Sequence, residues 1–288
     1  MSTLTATPET PESAQAAPAR PVYRVTGRRV LSSEWAKLWS LRSTWITLGL
    51  GLLFLVAFGV IAASHYKSSL DSGRHMDRDF ATATAVSLSL FGTNFAQLAL
   101  GVLGVLVTAG EYSTGMIRST LAAVPTRVPV LVAKAIVLAV LTVVVATVSI
   151  ALSYVVTMPL LTDLDLVPAL DQARTWQVFG GTVYFLVAAG LFALGVGTLL
   201  RSSAAAITVA LTVLLLLPGV LSFIRLNWLQ TVVDYLPLPA SGAFLGGSED
   251  SLSSAGEELS PVTGLLVIAA YAVVPLIAGA VVLRRRDA

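Results

Sequence analysis

Residues Ala109 to Val130 read AGEYSTGMIRSTLAAVPTRVPV and lie between two long apolar runs. The stretch carries Glu111, Arg118 and Arg127, whereas the flanking runs carry almost no charge. Gly110 is expected to end the preceding helix, and Ser113 or Thr114 to cap a new one. That short helix would cover about residues 115–123 and stop before Pro125, because the residue preceding a proline resists the α region. On it Ile117, Thr120, Leu121 and Val124 share one face at three- and four-residue spacing, while Arg118 and Ser119 point elsewhere. Two readings follow. The stretch is either an amphipathic knob offered to the aqueous phase, or an ordinary loop whose arginines obey charge rules.

The flanking runs decide the fold class. Hydrophobic residues make up 56% of the 288 and charged residues 12%, with a mean hydropathy of +0.83. A soluble domain of this length carries about 25% charge, so the chain is read as a membrane protein. Six runs reach spanning length, about 20 residues for a hydrocarbon core of about 30 Å. They are residues 45–63, 86–108, 130–157, 177–200, 204–224 and 262–283. The expectation is an all-α membrane protein of six transmembrane helices, with the quoted stretch between the second and third.

Basic residues set the orientation. With the N-terminus inside, 13 of the 18 Lys and Arg fall on the cytoplasmic side and 5 outside. Trp35, Trp39 and Trp45 then mark the inner interface, and Trp176 and Trp228 the outer one. The expected protein is multi-pass in the cell membrane, with both termini cytoplasmic. Lys134 and Arg201 sit at span ends where their long side chains can snorkel.

Ahead of the spans, residues 1–22 are rich in Pro, Ala, Ser and Thr and bury too little surface to order, so they read as a disordered tail. Residues 23–288 form the membrane domain. Within it Leu31, Trp35, Leu38, Trp39 and Arg42 make one helical stripe, with Arg29, Ser33, Lys37 and Ser40 on the other side. Tryptophans opposite basic residues describe an elbow helix lying in the membrane interface. Beyond span five, residues 229–247 are apolar but broken by Pro237, Pro239, Gly242, Gly246 and Gly247. Such a segment is too short to cross and fits a re-entrant pair of helices on the outer side, before span six.

Asn94, Gln97, Gly101, Gly104 and Thr108 recur at spacings of three and four along span two. A small and polar stripe lets helices approach and hydrogen-bond. It lines a pathway or a subunit interface, or else glues helices within one chain.

Little points to catalysis. His65 and His75 share an outer loop with Asp71, Asp77 and Asp79, without the spacing of a metal site. No serine has a histidine placed to make a membrane protease dyad. The 288 residues hold no Gly-Lys pair and so no G-x-x-x-x-G-K-[ST] loop for a nucleotide. There are no cysteines, which excludes disulfides. The net charge is +2, and no basic patch interleaves with aromatics, so no nucleic-acid partner is expected. The preference for Arg, Ala, Val and Leu points to a GC-rich, actinobacterium-like source.

Two motifs carry a resemblance. The elbow run Ser33-Glu34-Trp35-Ala36-Lys37-Leu38 with Leu41-Arg42-Ser43-Thr44-Trp45 behind it resembles permease subunits of ABC-2-type ATP-binding-cassette exporters. So does Gly110-Glu111-Tyr112-Ser113-Thr114-Gly115-Met116-Ile117-Arg118-Ser119-Thr120-Leu121, followed by Pro125, Arg127 and Lys134. The resemblance runs from Val30 to Arg286. It implies a permease half, with no cofactor on this chain, that pairs with a second permease subunit in a homodimer or heterodimer. It also implies a separate ABC ATP-binding subunit as partner, which would carry the ATP and Mg. The residues at the family's ATPase-coupling position are Glu111, Thr114, Gly115, Ile117, Arg118 and Leu121, with Glu111 read as an exposed acid; the elbow residues are Glu34, Trp35, Lys37 and Leu38. The alternatives are an anchor or immunity subunit that recruits an ATPase without moving substrate, and a polytopic membrane enzyme. The sequence names no substrate; apolar walls without a fixed charge favour a lipid-like, amphipathic or drug-like one.

Overall fold

The computed structural model describes residues 26–72, 83–116, 127–162, 166, 170–224, 226–245 and 259–285. The N-terminal tail, His75 and residues 117–126 lie outside these. The described residues are helical, with no strand among them. Their order is α1 (Gly27–Ser40), α2 (Arg42–Asp71), α3 (Ala85–Ser89), α4 (Thr93–Ser113), α5 (Arg127–Thr162) and α6 (Ala173–Leu200). Then come α7 (Ser203–Leu211), a π-turn (Thr212–Leu216), α8 (Leu217–Ser222), α9 (Asn227–Asp234), α10 (Pro237–Leu245) and α11 (Pro261–Arg285).

Six helical stretches are long and apolar enough to cross a membrane: Arg42–Asp71, Ala85–Ser113, Val128–Thr162, Ala173–Leu200, Ser203–Ser222 and Pro261–Arg285. Each overlaps one of the six expected runs. The first extends to Asp71, so its helix continues through residues that the sequence assigned to an outer loop. The fifth is not a uniform α-helix. Pro218 cannot donate a backbone hydrogen bond, and the π-turn just before it widens the helix to accommodate the missing partner.

Span four (α6) is the hub. It packs against α4, α11, α5, α7 and α10. Its apolar stretch is 67% buried, against 17% for span six at the periphery. Phe185, Leu186 and Leu194 on α6 join Leu100, Leu103 and Leu138 in the main core. In lipid there is little hydrophobic drive between helices, so close backbone approach must supply the attraction. Glycines provide it. A Cβ on Gly104 would run into the Gly190 carbonyl oxygen of α6, and one on Gly195 would lie 2.6 Å from Pro275 of α11.

Around this hub the outer surfaces are apolar. On α5, Val132, Ile136, Val140 and Val143 are exposed at helical spacing and form a side suited to acyl chains. Helices α9 and α10 meet at the break around Tyr235 and Leu236. Helix α10 lies on α11 and α6, with Ala240 and Ser241 buried. Two short helices thus occupy the broken apolar segment after span five.

Candidate functional site

The elbow, the end of span two and the start of span three converge at one end of the bundle. Helix α1 is set by Thr26, in an extended conformation, and stops at Leu41, which is extended again before α2 begins. It buries Val30, Glu34 and Leu38. Val30 packs with Val130 and Ala133 of α5. The tryptophans are on the outer side. Trp35 and Trp39 stack with centroids 6.0 Å apart, Trp39 meets Trp45 edge-on at 4.6 Å, and Trp45 Nε1 donates to the Trp39 carbonyl at 2.9 Å. The corner between α1 and α2 is therefore an exposed aromatic cluster. Glu34, immediately before Trp35 in sequence, faces the protein.

Span two ends differently from the sequence expectation. Gly110 does not terminate it. The helix continues to Ser113, Thr114 is the C-cap, and Gly115 follows at φ +73. The Thr114 amide donates to the Gly110 carbonyl and the Gly115 amide to that of Tyr112, so the left-handed glycine comes five residues later. A Cβ at Gly110 would meet nothing within 4 Å, so no close approach requires glycine there. The extra turn points Glu111 into the bundle rather than into a loop.

This corrects the reading of Glu111 as an exposed acid. It is 5% exposed, Lys134 is 4% and Glu34 is 2%. Lys134 Nζ donates to Glu34 Oε2 and to Glu111 Oε1, each at 2.7 Å. Lys37 Nζ donates to Glu34 Oε1 at 2.8 Å and to Glu111 Oε1 at 3.1 Å. Two carboxylates and two ammoniums thus form a neutral cluster joining three helices. Lys134 does not snorkel outward. Burying a single charge costs several kcal/mol, and only the mutual pairing makes this burial tolerable. Burial pulls the Lys37 ammonium down, but the hydrogen bond and charge of Glu34, with those of Glu111, more than offset it and hold it above its usual 10.5.

The cluster borders a cavity of about 190 Å³, lined on its apolar side by Leu38, Leu41, Leu106, Val107 and Met116. Ser43, Gly110 and Thr114 complete the wall. Oε2 of Glu111 is buried and accepts no hydrogen bond from any described residue.

A second contact braces the same end. The turn between spans four and five places Arg201 at φ +54, a left-handed conformation unusual outside glycine. Its guanidinium lies 5.2 Å from the centre of the Tyr112 ring, next to Glu111.

The structure brings Glu34, Lys37, Leu38, Glu111 and Thr114 to one place, although the sequence had divided them between elbow and coupling loop. Lys134 was missed as a partner because nothing in local spacing pairs residues 23 and 100 positions apart. The one available signal was a lone lysine in an otherwise apolar span start. Ile117, Arg118 and Leu121 lie outside the described residues.

The polar stripe of span two lies elsewhere. Gln97, Gly101, Gly104 and Thr108 are buried within this single chain. Thr108 Oγ1 donates to the Leu194 carbonyl at 3.2 Å, and Gly101 faces Leu214 and Ala193. Gly101, Gly104 and Thr108 therefore join span two to spans four and five within one subunit. Their burial argues against a seam between subunits. Asn94 alone is half-buried.

Six apolar helices closed around glycine contacts define an all-α, multi-pass membrane protein. Residues 30–219, 190 of the 288, match the family model described as ABC-2 family transporter protein, and the chain belongs to that family. It is thus an ABC transporter permease. A comparison with curated proteins finds no match.

Proposed function

We propose that this permease forms half of an export pathway and is driven by a separate ATP-binding subunit docked at the end that carries the ion cluster. The observation that carries this reading is the Glu34–Lys134–Glu111 bridge. It ties the elbow to the two spans that flank residues 114–127. A push on either segment is then transmitted to spans two and three together. Differential contacts of this kind are what a coupled transporter requires between its states. A second permease subunit would complete the pathway, and ATP and Mg would reside on the partner. The 13-to-5 division of basic residues supports a cell-membrane protein with this end and both termini in the cytoplasm. Lys134 joins Glu111, Thr114 and Gly115 in the proposed coupling site. Ile117, Arg118 and Leu121 are proposed to supply contacts to the ATPase.

The test is affinity purification of the tagged permease from its native membrane, followed by identification of co-purifying ATP-binding proteins. Ile117→Ala and Leu121→Ala should each cut recovery of that subunit severalfold while the permease still inserts, since anchors of this kind cost about 1–4 kcal/mol when truncated. Recovery unchanged in both variants would remove the loop from the docking surface. An ATPase that binds without any substrate moving would favour the anchor reading instead.

A further inference from the structure

We infer that the outer face of the elbow, carrying Arg28, Arg42 and the three tryptophans, is a docking surface for the headgroups of anionic phospholipids. The face is made by the same event that buries the ion cluster. Glu34 is the only acid between Ser13 and Leu70, and it is turned inward against Lys37 and Lys134. Glu111, at the neighbouring end of span two, is buried and paired as well. Both acids that could offset the elbow's arginines are therefore neutralised inside the protein. Arg28 and Arg42 stay exposed, with no paired acid among the described residues. The outer face is left purely cationic.

Register and depth narrow the partner. Val30, Glu34 and Leu38 form the buried stripe of α1. Arg28, Trp35 and Trp39 fall at i, i+7 and i+11 and so share a second stripe, directed away from the core. Trp45 lies in the first turn of span one, where a span meets the headgroups. Trp39 packs edge-on against it at 4.6 Å, and Trp35 stacks on Trp39 at 6.0 Å, so all three indoles sit at that depth. They are 40%, 54% and 47% exposed for Trp35, Trp39 and Trp45, an aromatic surface suited to the boundary between headgroup and acyl chain. Arg42 opens span one, three residues before Trp45. A guanidinium at each end of an aromatic patch matches phosphate groups that carry net negative charge, and an electrically neutral bilayer offers it less. This assignment does not rest on the ATPase reading, because it concerns the permease and its lipid alone.

The chain's own tryptophans report on this surface. Trp176→Phe and Trp228→Phe leave Trp35, Trp39 and Trp45 as the only indoles of the full chain. This protein is reconstituted in phosphatidylcholine vesicles doped with dibrominated phosphatidylglycerol or dibrominated phosphatidylcholine, and quenching reads which lipid touches the corner. The glycerol lipid should be preferred by at least about fivefold at low salt, the increment for one basic residue near an anionic surface. Arg28→Gln combined with Arg42→Gln should bring the two lipids to within about twofold of each other. Arg174→Gln, at the start of α6, should change nothing. Salt at about 1 M, where the screening length is about 3 Å, should shrink the parent's preference too, which covers the case in which the double variant misfolds. Equal quenching by both lipids in the parent, or a preference that survives both the double variant and high salt, would overturn the proposal. Quenching by neither lipid would overturn it by placing the corner away from the bilayer. A parent without lipid preference whose double variant loses its ATP-binding subunit would overturn it in favour of a protein partner.

Discussion

Lys134 on span three and Glu34 on the elbow, 100 residues apart, meet at 2.7 Å with 5% and 2% of their side chains accessible. The same ammonium holds Glu111 at 2.7 Å, so one proton-rich group ties three helices together. Removing it leaves two buried carboxylates with only Lys37 between them.

Lys134→Met should therefore destabilise the protein by about 3–5 kcal/mol, the usual cost of breaking a buried pair from one side. Thermal unfolding of the purified chain measures this. Glu34→Leu combined with Lys134→Met should recover part of the loss, because together they remove one charge of each sign. A Lys134→Met chain that melts with the parent would show that the cluster is not a structural tie.

The raised Lys37 ammonium has a pH signature of the opposite sense to a carboxylate's. Its contribution to stability is complete below the ordinary value of 10.5 and is lost as pH rises through the higher folded value. The gap in thermal midpoint between the parent and Lys37→Met should stay constant from about pH 7 to 9 and shrink only above 10.5. A gap that shrinks on acidification would contradict the assignment.

Much of this architecture is legible in the chain. Hydropathy and length locate the six spans, because a bilayer demands long apolar helices whatever their packing. The stripe read along α1 is split by the structure, with Trp35 and Trp39 exposed and Leu38 turned inward. What periodicity hides is which polar residue turns inward. Glu34 lies between Trp35 and Ser33 and looks like part of a wet face. Its orientation depends on Lys134, which local sequence cannot place beside it. The helix end was misread for a related reason. Gly110 and Gly115 are equally good terminators by composition, and burial of Glu111 against two lysines favours the later one.

The stripe on span two carries its own prediction. Gly104→Ala should cost about 1–3 kcal/mol, since the new methyl would press on the Gly190 carbonyl. Gly180→Ala on α6, where nothing lies within 4 Å, should be tolerated. Gln97→Leu should be near neutral in stability. Among the described residues, Gln97 Nε2 bonds within its own helix, to the Asn94 carbonyl, and Oε1 has no partner. Thermal midpoints of the three variants decide it. Equal losses at Gly104 and Gly180 would contradict the packing account.

Arg201 separates strain from contact. Arg201→Ala keeps the left-handed backbone and loses the stack on Tyr112, whereas Arg201→Gly loses the stack but relieves about 1–2 kcal/mol of strain. The glycine variant should be the more stable of the two by that amount. If alanine proves the better replacement, φ at this turn is not left-handed in the working protein.

The most direct test of the central claim, that the ion cluster passes the partner's work to the spans, needs no knowledge of the substrate. The chain has no cysteine. Ser64→Cys and Ala173→Cys therefore place spin labels cleanly on α2 and α6, far along the spans from Glu111. The account predicts that, in complex with its ATP-binding subunit, the distance between the labels changes when ATP and Mg are added. With Glu111→Gln the partner should go on hydrolysing ATP while that distance stays fixed. A Glu111→Gln complex whose labels move like the parent's, or a parent complex whose labels never move during hydrolysis, would contradict it.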